Sequence, residues 1–379
     1  MQLRSPLKFV LTCLAFLMLT LPAYAQGTTP TQPPPTCKEY TALGKLYYSK
    51  ADYQAAYVVF RNCLVLEPKS TDALYNLARV ELHLRLYQAA ITHMKSCIDI
   101  DGQFWRCYLV LAQTYVSQYT DSSDRALQKG QLDEALRVLD DAERIVTNNE
   151  AKAAVNNLRG TIYKYKKEPD NAVKFFKQAL QFAPEDPIVL FNLGALYLQL
   201  SKYDEAVDTL SQALDAKPSD FITQAFYCKA LRLNGKTSEA LSQCKQAFNR
   251  SASARKDAFV VGQYGIVLYI TKDKNQARQM LELAVKLDPL TYHENYYYLG
   301  RLYLELGQAK DASAQFTKAS LMSPDEYAYW FWLGQSNESL GKKDEACSNY
   351  ARALKIKADY KDAQEASVKL KCPTSAGSR

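Results

Sequence analysis

Large apolar residues recur along this chain at three- and four-residue steps, and the pattern itself repeats. Over residues 187–220 the stripe comprises Leu190, Leu193 and Tyr197, then Leu210 on a second segment. That spacing predicts two amphipathic helices sharing one apolar seam. Small residues punctuate the stripes. Ala56, Ala90, Ala135, Ala172, Ala206, Ala240, Ala277, Ala312 and Ala346 stand at matching places, with steps of 34, 45, 37, 34, 34, 37, 35 and 34 residues. Twelve residues before most of them comes another small residue: Gly44, Ala78, Gly160, Gly194, Cys228, Gly265, Gly300 or Gly334. Seven residues after each comes a cysteine (Cys63, Cys97) or an alanine. Proline often closes the unit, as at Pro68, Pro184, Pro218, Pro289 and Pro324, because it cannot continue the second helix.

A period near 34 residues is the mark of a stacked helical array. The expectation is that the small residue of the first helix faces the small residue of the second, letting the two backbones approach closely. This pattern closely resembles the tetratricopeptide repeat. The resemblance implies an all-α, right-handed superhelical solenoid of antiparallel helix pairs with a C-terminal capping helix. Nine units are expected, at 37–70, 71–104, 105–149, 153–186, 187–220, 221–254, 258–291, 293–326 and 327–360. Some positions depart from the pattern. Arg159 replaces an apolar residue before Gly160, and Asn156 and Gln224 replace large residues near a helix start. The third unit carries eleven extra residues, in the segment Ser117–Lys129. Asp121 and Asp124 lack the ligand density and glycine of a calcium loop. The segment reads as an extended helix end followed by a helix start capped by Ser122 or Ser123.

The ends carry different signals. Residues 1–25 read as a secretory signal peptide, with Arg4 and Lys8 before the apolar run Phe9–Leu21 and a small-x-small site at Ala23-Tyr24-Ala25. A periplasmic or secreted location is therefore expected. Residues 26–36 form a Pro/Thr-rich linker, and Thr36 with Glu39 makes a capping box for the first helix. Residues 361–372 read as a capping helix, with Ala363, Ala366 and Leu370 toward the array, and 373–379 as a disordered tail.

Nine cysteines less Cys13 leave eight in the mature chain, an even number on an oxidising route. Spacing alone leaves the pairing open. In antiparallel hairpins, however, Cys37 and Cys63 lie at neighbouring ends, and Cys97 and Cys107 flank one turn. Cys228 and Cys244 face each other within one pair, while Cys347 and Cys372 straddle the last turn. The expected bridges are 37–63, 97–107, 228–244 and 347–372.

Charge adds little. The formal net charge of +7 falls to +5 without Arg4 and Lys8, which permits an acidic partner and proves none. The three histidines, His83, His93 and His293, show no metal-ligand spacing. No phosphate loop, nucleophile elbow or carboxylate pair is recognisable, so no catalysis, cofactor, metal or nucleic acid is expected. The resemblance implies instead that the first helix of each unit lines a concave groove, with its second, fifth, ninth and twelfth places pointing inward. Those thirty-six places hold eight Lys or Arg and three Asp or Glu, with aromatics between. Aromatic and arginine side chains are the usual interface anchors. The candidates are Tyr75, Arg79, Asn157, Phe191, Lys229, Tyr297, Arg301 and Phe331. The Lys/Asn set that clamps a terminal carboxylate in chaperone-binding relatives is represented at most by Asn157 and Lys164. The expected function is a scaffold that binds a peptide or protein within a cell-envelope assembly of pilus, secretion or polysaccharide-export type. The alternative is a solenoid binding an anionic glycan.

Overall fold

The computed structural model describes residues 35–125 and 128–373. The expected leader, most of the Pro/Thr-rich linker and the tail from Thr374 lie outside the described residues.

Helices come in antiparallel pairs joined by tight turns. The first four pairs are α1 (Cys37–Ser49) with α2 (Tyr53–Leu66), α3 (Thr71–His83) with α4 (Tyr87–Ile100), α5 (Trp105–Asp121) with α6 (Lys129–Ile145), and α7 (Asn149–Tyr165) with α8 (Pro169–Phe182). Next come α9 (Pro187–Gln199) with α10 (Tyr203–Ala216), α11 (Phe221–Leu233) with α12 (Thr237–Asn249), and α13 (Ala258–Ile270) with α14 (Lys274–Leu287). The last are α15 (His293–Glu305) with α16 (Ala309–Met322), and α17 (Tyr327–Ser339) with α18 (Lys343–Ile356), followed by α19 (Lys361–Lys369). A single 3-10 turn, Ala254–Lys256, joins α12 to α13. Each even helix packs on the next odd one, and successive odd helices also touch each other, from α1 and α3 through to α15 and α17. The odd helices therefore lie on the inner side of the stack.

All nine register alanines, from Ala56 to Ala346, are fully buried. The small residue of the first helix also makes a second close contact, with a large side chain. A Cβ built on Gly44, Gly160, Gly194, Gly265, Gly300 or Gly334 would lie within 2.9 Å of Phe60, Phe176, Leu210, Leu281, Phe316 or Tyr350, respectively. Each glycine thus seats a large, fully buried side chain sixteen residues later. Burying each such side chain contributes about 1.5–3 kcal/mol. In the sixth pair Cys228 and Cys244 hold the same two places and are bonded to each other.

In the eight pairs other than α5 and α6, the turn between paired helices uses one left-handed residue. It is glycine at Gly235, Gly307 and Gly341, but Ala51, Arg85, Lys167, Ser201 and Lys272 adopt the same positive φ, between 56° and 68°. A side chain there costs about 1–2 kcal/mol, which the packing of two helices outweighs.

All four expected bridges are formed, with Cα–Cα distances from 4.3 to 6.3 Å. The Thr36/Glu39 capping box is present. Ser122 and Ser123 do not cap α6, whose N-cap is Gln128; the Ser122 hydroxyl instead bonds the Asp124 backbone in a local turn. The departures from the repeat pattern are locally satisfied. Arg159 is buried yet reaches Asp140 at 2.6 Å and Glu143 at 2.8 Å. Gln224 is buried in an amide cluster with Gln243, Gln246 and Arg250. Ala363 and Ala366 of α19 are buried against the last pair.

Candidate functional site: a groove on the inner helices

The inner helices converge on one groove of about 940 Å³ near the start of the stack. It is walled by the end of α1, the middle of α3, the long α5, the start of α7 and the turn before α9. Helical spacing explains the wall. Tyr75, Arg79 and Leu82 lie three and four residues apart, so they share one face of α3, while Arg106, Leu109 and Gln113 do the same on α5.

The eleven extra residues shape this groove. They lengthen α5 so that Asp121 reaches the turn before α4, while Ser117 lines the groove. There Asp121 pairs with Arg85 at 3.4 Å and accepts a hydrogen bond from Tyr87. Burial, then that hydrogen bond, pushes the Tyr87 phenol up to about 12. On the opposite wall Arg106 pairs with Glu150 at 2.9 Å and lies 4.5 Å from the Trp105 ring. Arg79 lies over the ring of Tyr48 at 4.4 Å and nears that of Tyr75 at 5.4 Å. The Tyr48 hydroxyl meets His83 Nε2 at 2.9 Å, and His83 stacks on Tyr53. Burial, then the charge of Arg79, holds His83 below the ordinary imidazole pKa.

Of the candidates, the structure brings Tyr75 and Arg79 into this groove. The other six lie elsewhere on the odd helices. Asn157 accepts a hydrogen bond from Asn192 at 3.0 Å. Phe191 meets Phe226 edge to face. Lys229 pairs with Glu294 at 3.0 Å, with Arg232 3.6 Å away on the same carboxylate. Burial raises the Glu294 pKa, but the two cations outweigh it and hold the group below the usual glutamate range. Tyr297 is enclosed by Tyr298, Phe316 and Tyr329. Arg301 covers the Trp332 ring at 3.8 Å and donates to the Tyr297 hydroxyl. Phe331 is a correction: it is 6% exposed and packs on Trp332, Tyr350 and Tyr360, inside the last apolar cluster. Tyr350 of α18 and Tyr360, the residue before α19, cover that inward place.

Sequence reasoning missed Trp105, Arg85, Tyr87 and Glu150. Trp105 sits one place before a groove position, Arg85 lies on a turn and Tyr87 starts a second helix, neither of which the groove rule counts. The available signal was the inserted length itself, which predicts a longer α5. Of the histidines, His93 turns inward to the buried Glu81 at 2.8 Å. Among the described residues no group of three or more His, Cys, Asp or Glu is placed to hold a metal, and no helix is long and apolar enough to cross a membrane.

Stacked helix pairs with an aromatic, arginine-bearing inner groove define the class: an interaction scaffold of the α-solenoid type. Family models described as tetratricopeptide repeat match residues 41–103, 165–225 and 297–361. The chain belongs to the tetratricopeptide-repeat family. It is 26% identical over 255 residues to the Bos taurus BBSome complex member BBS4, covering 67% of this chain and 46% of that protein. It is also 26% identical over 215 residues to the Homo sapiens Protein O-mannosyl-transferase TMTC1, covering 56% of this chain and 24% of that one. The chain thus spans less than half the length of these curated relatives. Among solved structures, the Cut9 and Hcn1 hetero-tetramer of the APC/C matches with a TM-score of 0.54 at 12% identity, over 88% of this chain and 90% of that one. That is a likeness of fold. The thermophilic TPR protein TTC0263 of Thermus thermophilus is 34% identical, with a TM-score of 0.48, over 52% of this chain and 99% of that one.

Proposed function

We propose that this chain is an exported nine-repeat scaffold whose inner groove captures a segment of a partner protein within a cell-envelope assembly. The observation that carries the reading is the groove between α1 and α9. Its walls offer Tyr48, Tyr75, Tyr87 and Trp105 beside Arg79 and Arg106. Rigid aromatic rings and planar guanidinium groups are the side chains that anchor interfaces at low entropic cost. Periplasmic or secreted placement is supported by the four bridged cysteine pairs, because reducing compartments keep such thiols free. The apolar run of the first 25 residues supports the same placement.

The test is site-specific photo-crosslinking in the native host, with the reactive side chain at Gln113 in the groove or at Lys286 on an outer helix. The expected result is one recurrent partner trapped from Gln113 and absent from Lys286. Equal labelling from both positions would refute a groove partner. Recovery of the chain in the reducing cytosol would refute export. The same aromatics suit stacking on sugars, so the rival is a glycan binder. It requires a rise in melting temperature with anionic oligosaccharides and no protein crosslink.

A further inference from the structure

The second helix of each pair packs on the first helix of the next. At the first junction Tyr57 and Leu64 of α2, seven residues apart, meet Leu77 and Val80 of α3. The place of Val80, two residues after the small one, recurs in every later pair down to Ser336 and is never more than 3% exposed. The matching residues of α1 are Leu43 and Leu46. They are 39% and 48% exposed, because among the described residues no helix precedes α1. The far end differs, since α19 covers it with Ala363 and Ala366 buried. A second observation comes from α2. Val58 and Val65 stand one place along from Tyr57 and Leu64, with the same seven-residue spacing, and are 56% and 79% exposed. Their counterparts in later pairs are polar, such as Thr92 and Asp99, or Asp208 and Asp215; the exception is Ala314 and Leu321. Along its 14 residues α2 carries a single charge, Arg61. The outward face of a helix is ordinarily polar, so an exposed apolar stripe marks a contact. The N-terminal end thus holds an open apolar socket and, on the adjacent helix, a spare apolar pair of the kind that fills such a socket at the first junction.

We propose that two copies of this chain associate through their first helix pairs, with Val58 and Val65 of each covering Leu43 and Leu46 of the other. The arrangement is two-fold, because socket and spare pair belong to the same end and each is satisfied by its counterpart on the other copy. It closes at two copies, because α19 occupies the far end of each stack. The preceding stretch of the chain is a poorer occupant: residues 26–36 contain four prolines, a composition that opposes a helix. Helices of 13 and 14 residues lying side by side present a face of about 20 Å by 20 Å, or about 400 Å² on each copy. That is about half the share of a standard interface, so the dimer is weak and reversible, dissociating in the range of tens of micromolar. Such pairing does not require the groove to bind anything.

The experiment is sedimentation equilibrium of the oxidised chain, purified from its native host, from about 1 to 200 μM. The expected mass is that of a monomer at the low end and approaches twice that at the top. Val58→Thr combined with Val65→Asp gives α2 the residues that α4 carries at the same places, so the helix is kept, and association should weaken at least tenfold. Leu46→Lys should weaken it similarly from the socket side. Leu321→Asp, at the counterpart of Val65 on α16, should change nothing. A photo-reactive side chain at Leu46, in a mixture of isotope-labelled and unlabelled protein, should give mixed-isotope adducts that land on α2. A monomer mass at every concentration would overturn the dimer. So would association that survives the α2 and α1 changes, or that falls equally with Leu321→Asp. Growth beyond two copies would overturn the closed pair. A crosslink from Leu46 to residues before Lys38 of its own chain would assign the face to that segment and overturn the dimer as well.

Discussion

Replacing Gly334 with alanine tests the packing rule that builds the stack. The added methyl would lie 2.4 Å from Tyr350 Cε1 and 2.6 Å from Cδ1. Ordinary contact begins at 3.4 Å, so the ring or the helix must shift by about 1 Å. The ring is poorly able to yield. It is fully buried, its hydroxyl donates to Glu338 at 2.6 Å, and it accepts from Gln335 at 2.8 Å. Overpacking costs about 1–3 kcal/mol. Losing the hydrogen bond to the carboxylate adds about 1.5–3 kcal/mol. Better helix propensity returns about 1 kcal/mol. The net expectation is a loss of about 1.5–5 kcal/mol, confined to α17, α18 and their neighbours. An array of repeats does not unfold in one step, so a global midpoint is a poor readout. Native-state hydrogen exchange of the α17 and α18 amides reports the local opening energy directly. In a Tyr350→Ala background the same change should cost far less than in the parent, because the two sites share one contact. An opening energy within about 0.5 kcal/mol of the parent, or no coupling to Tyr350, would refute the argument that this glycine exists to seat the ring.

Three further expectations follow from the same structure. Lys272→Gly should raise local stability by about 0.5–1 kcal/mol, read by hydrogen exchange in α13 and α14, since it relieves a side chain held at a φ of 68°. Peptide mapping of unreduced protein should link Cys347 to Cys372, and Cys347→Ala with Cys372→Ala should weaken the docking of α19, with about 3 kcal/mol of chain-entropy stabilisation removed for a separation of 25 residues. Glu294 is depressed in the folded chain by Lys229 and Arg232, so its contribution is complete above the unfolded glutamate value of about 4.3 and is lost as pH falls through the lower folded value. Local opening energies of the α11 and α15 amides from native-state hydrogen exchange, corrected for the intrinsic exchange rate at each pH, should show that acid loss in the parent and a flatter acid limb in Glu294→Gln; identical slopes would refute the pairing.

Much of the architecture was legible because it depends on residue size at fixed intervals. Alanine at Ala56 and its eight counterparts can be read directly from the chain, and so can the bridge partners once hairpins are assumed. The partner of each glycine was not legible. Size periodicity shows that Gly334 must be small, yet not whether Ala346 or Tyr350 comes against it. The left-handed turn residues were hidden for another reason. Lys272 and Ser201 occupy the place that Gly235 advertises, because tertiary packing overrides their local preference. At the candidate site the face of each inner helix was predictable, so Tyr75 and Arg79 were found. Which stretch of that face would be open was not. Phe331 occupies an inward place in its own repeat but is covered where the array ends. The groove's outer wall depends on how far α5 extends, and an inserted length does not reveal that on its own.

The bridges also set how this chain responds to being pulled. Each one closes a loop within a helix pair or across one junction, with separations of 26, 10, 16 and 25 residues, and none ties distant repeats together. The ribbon as a whole is left free to bend like a spring, while the sealed stretches cannot extend under load. The first loop alone withholds about 90 Å of contour at roughly 3.4 Å per residue. A molecule stretched between two anchored partners would therefore lengthen in its unbridged middle repeats first, and keep both ends folded.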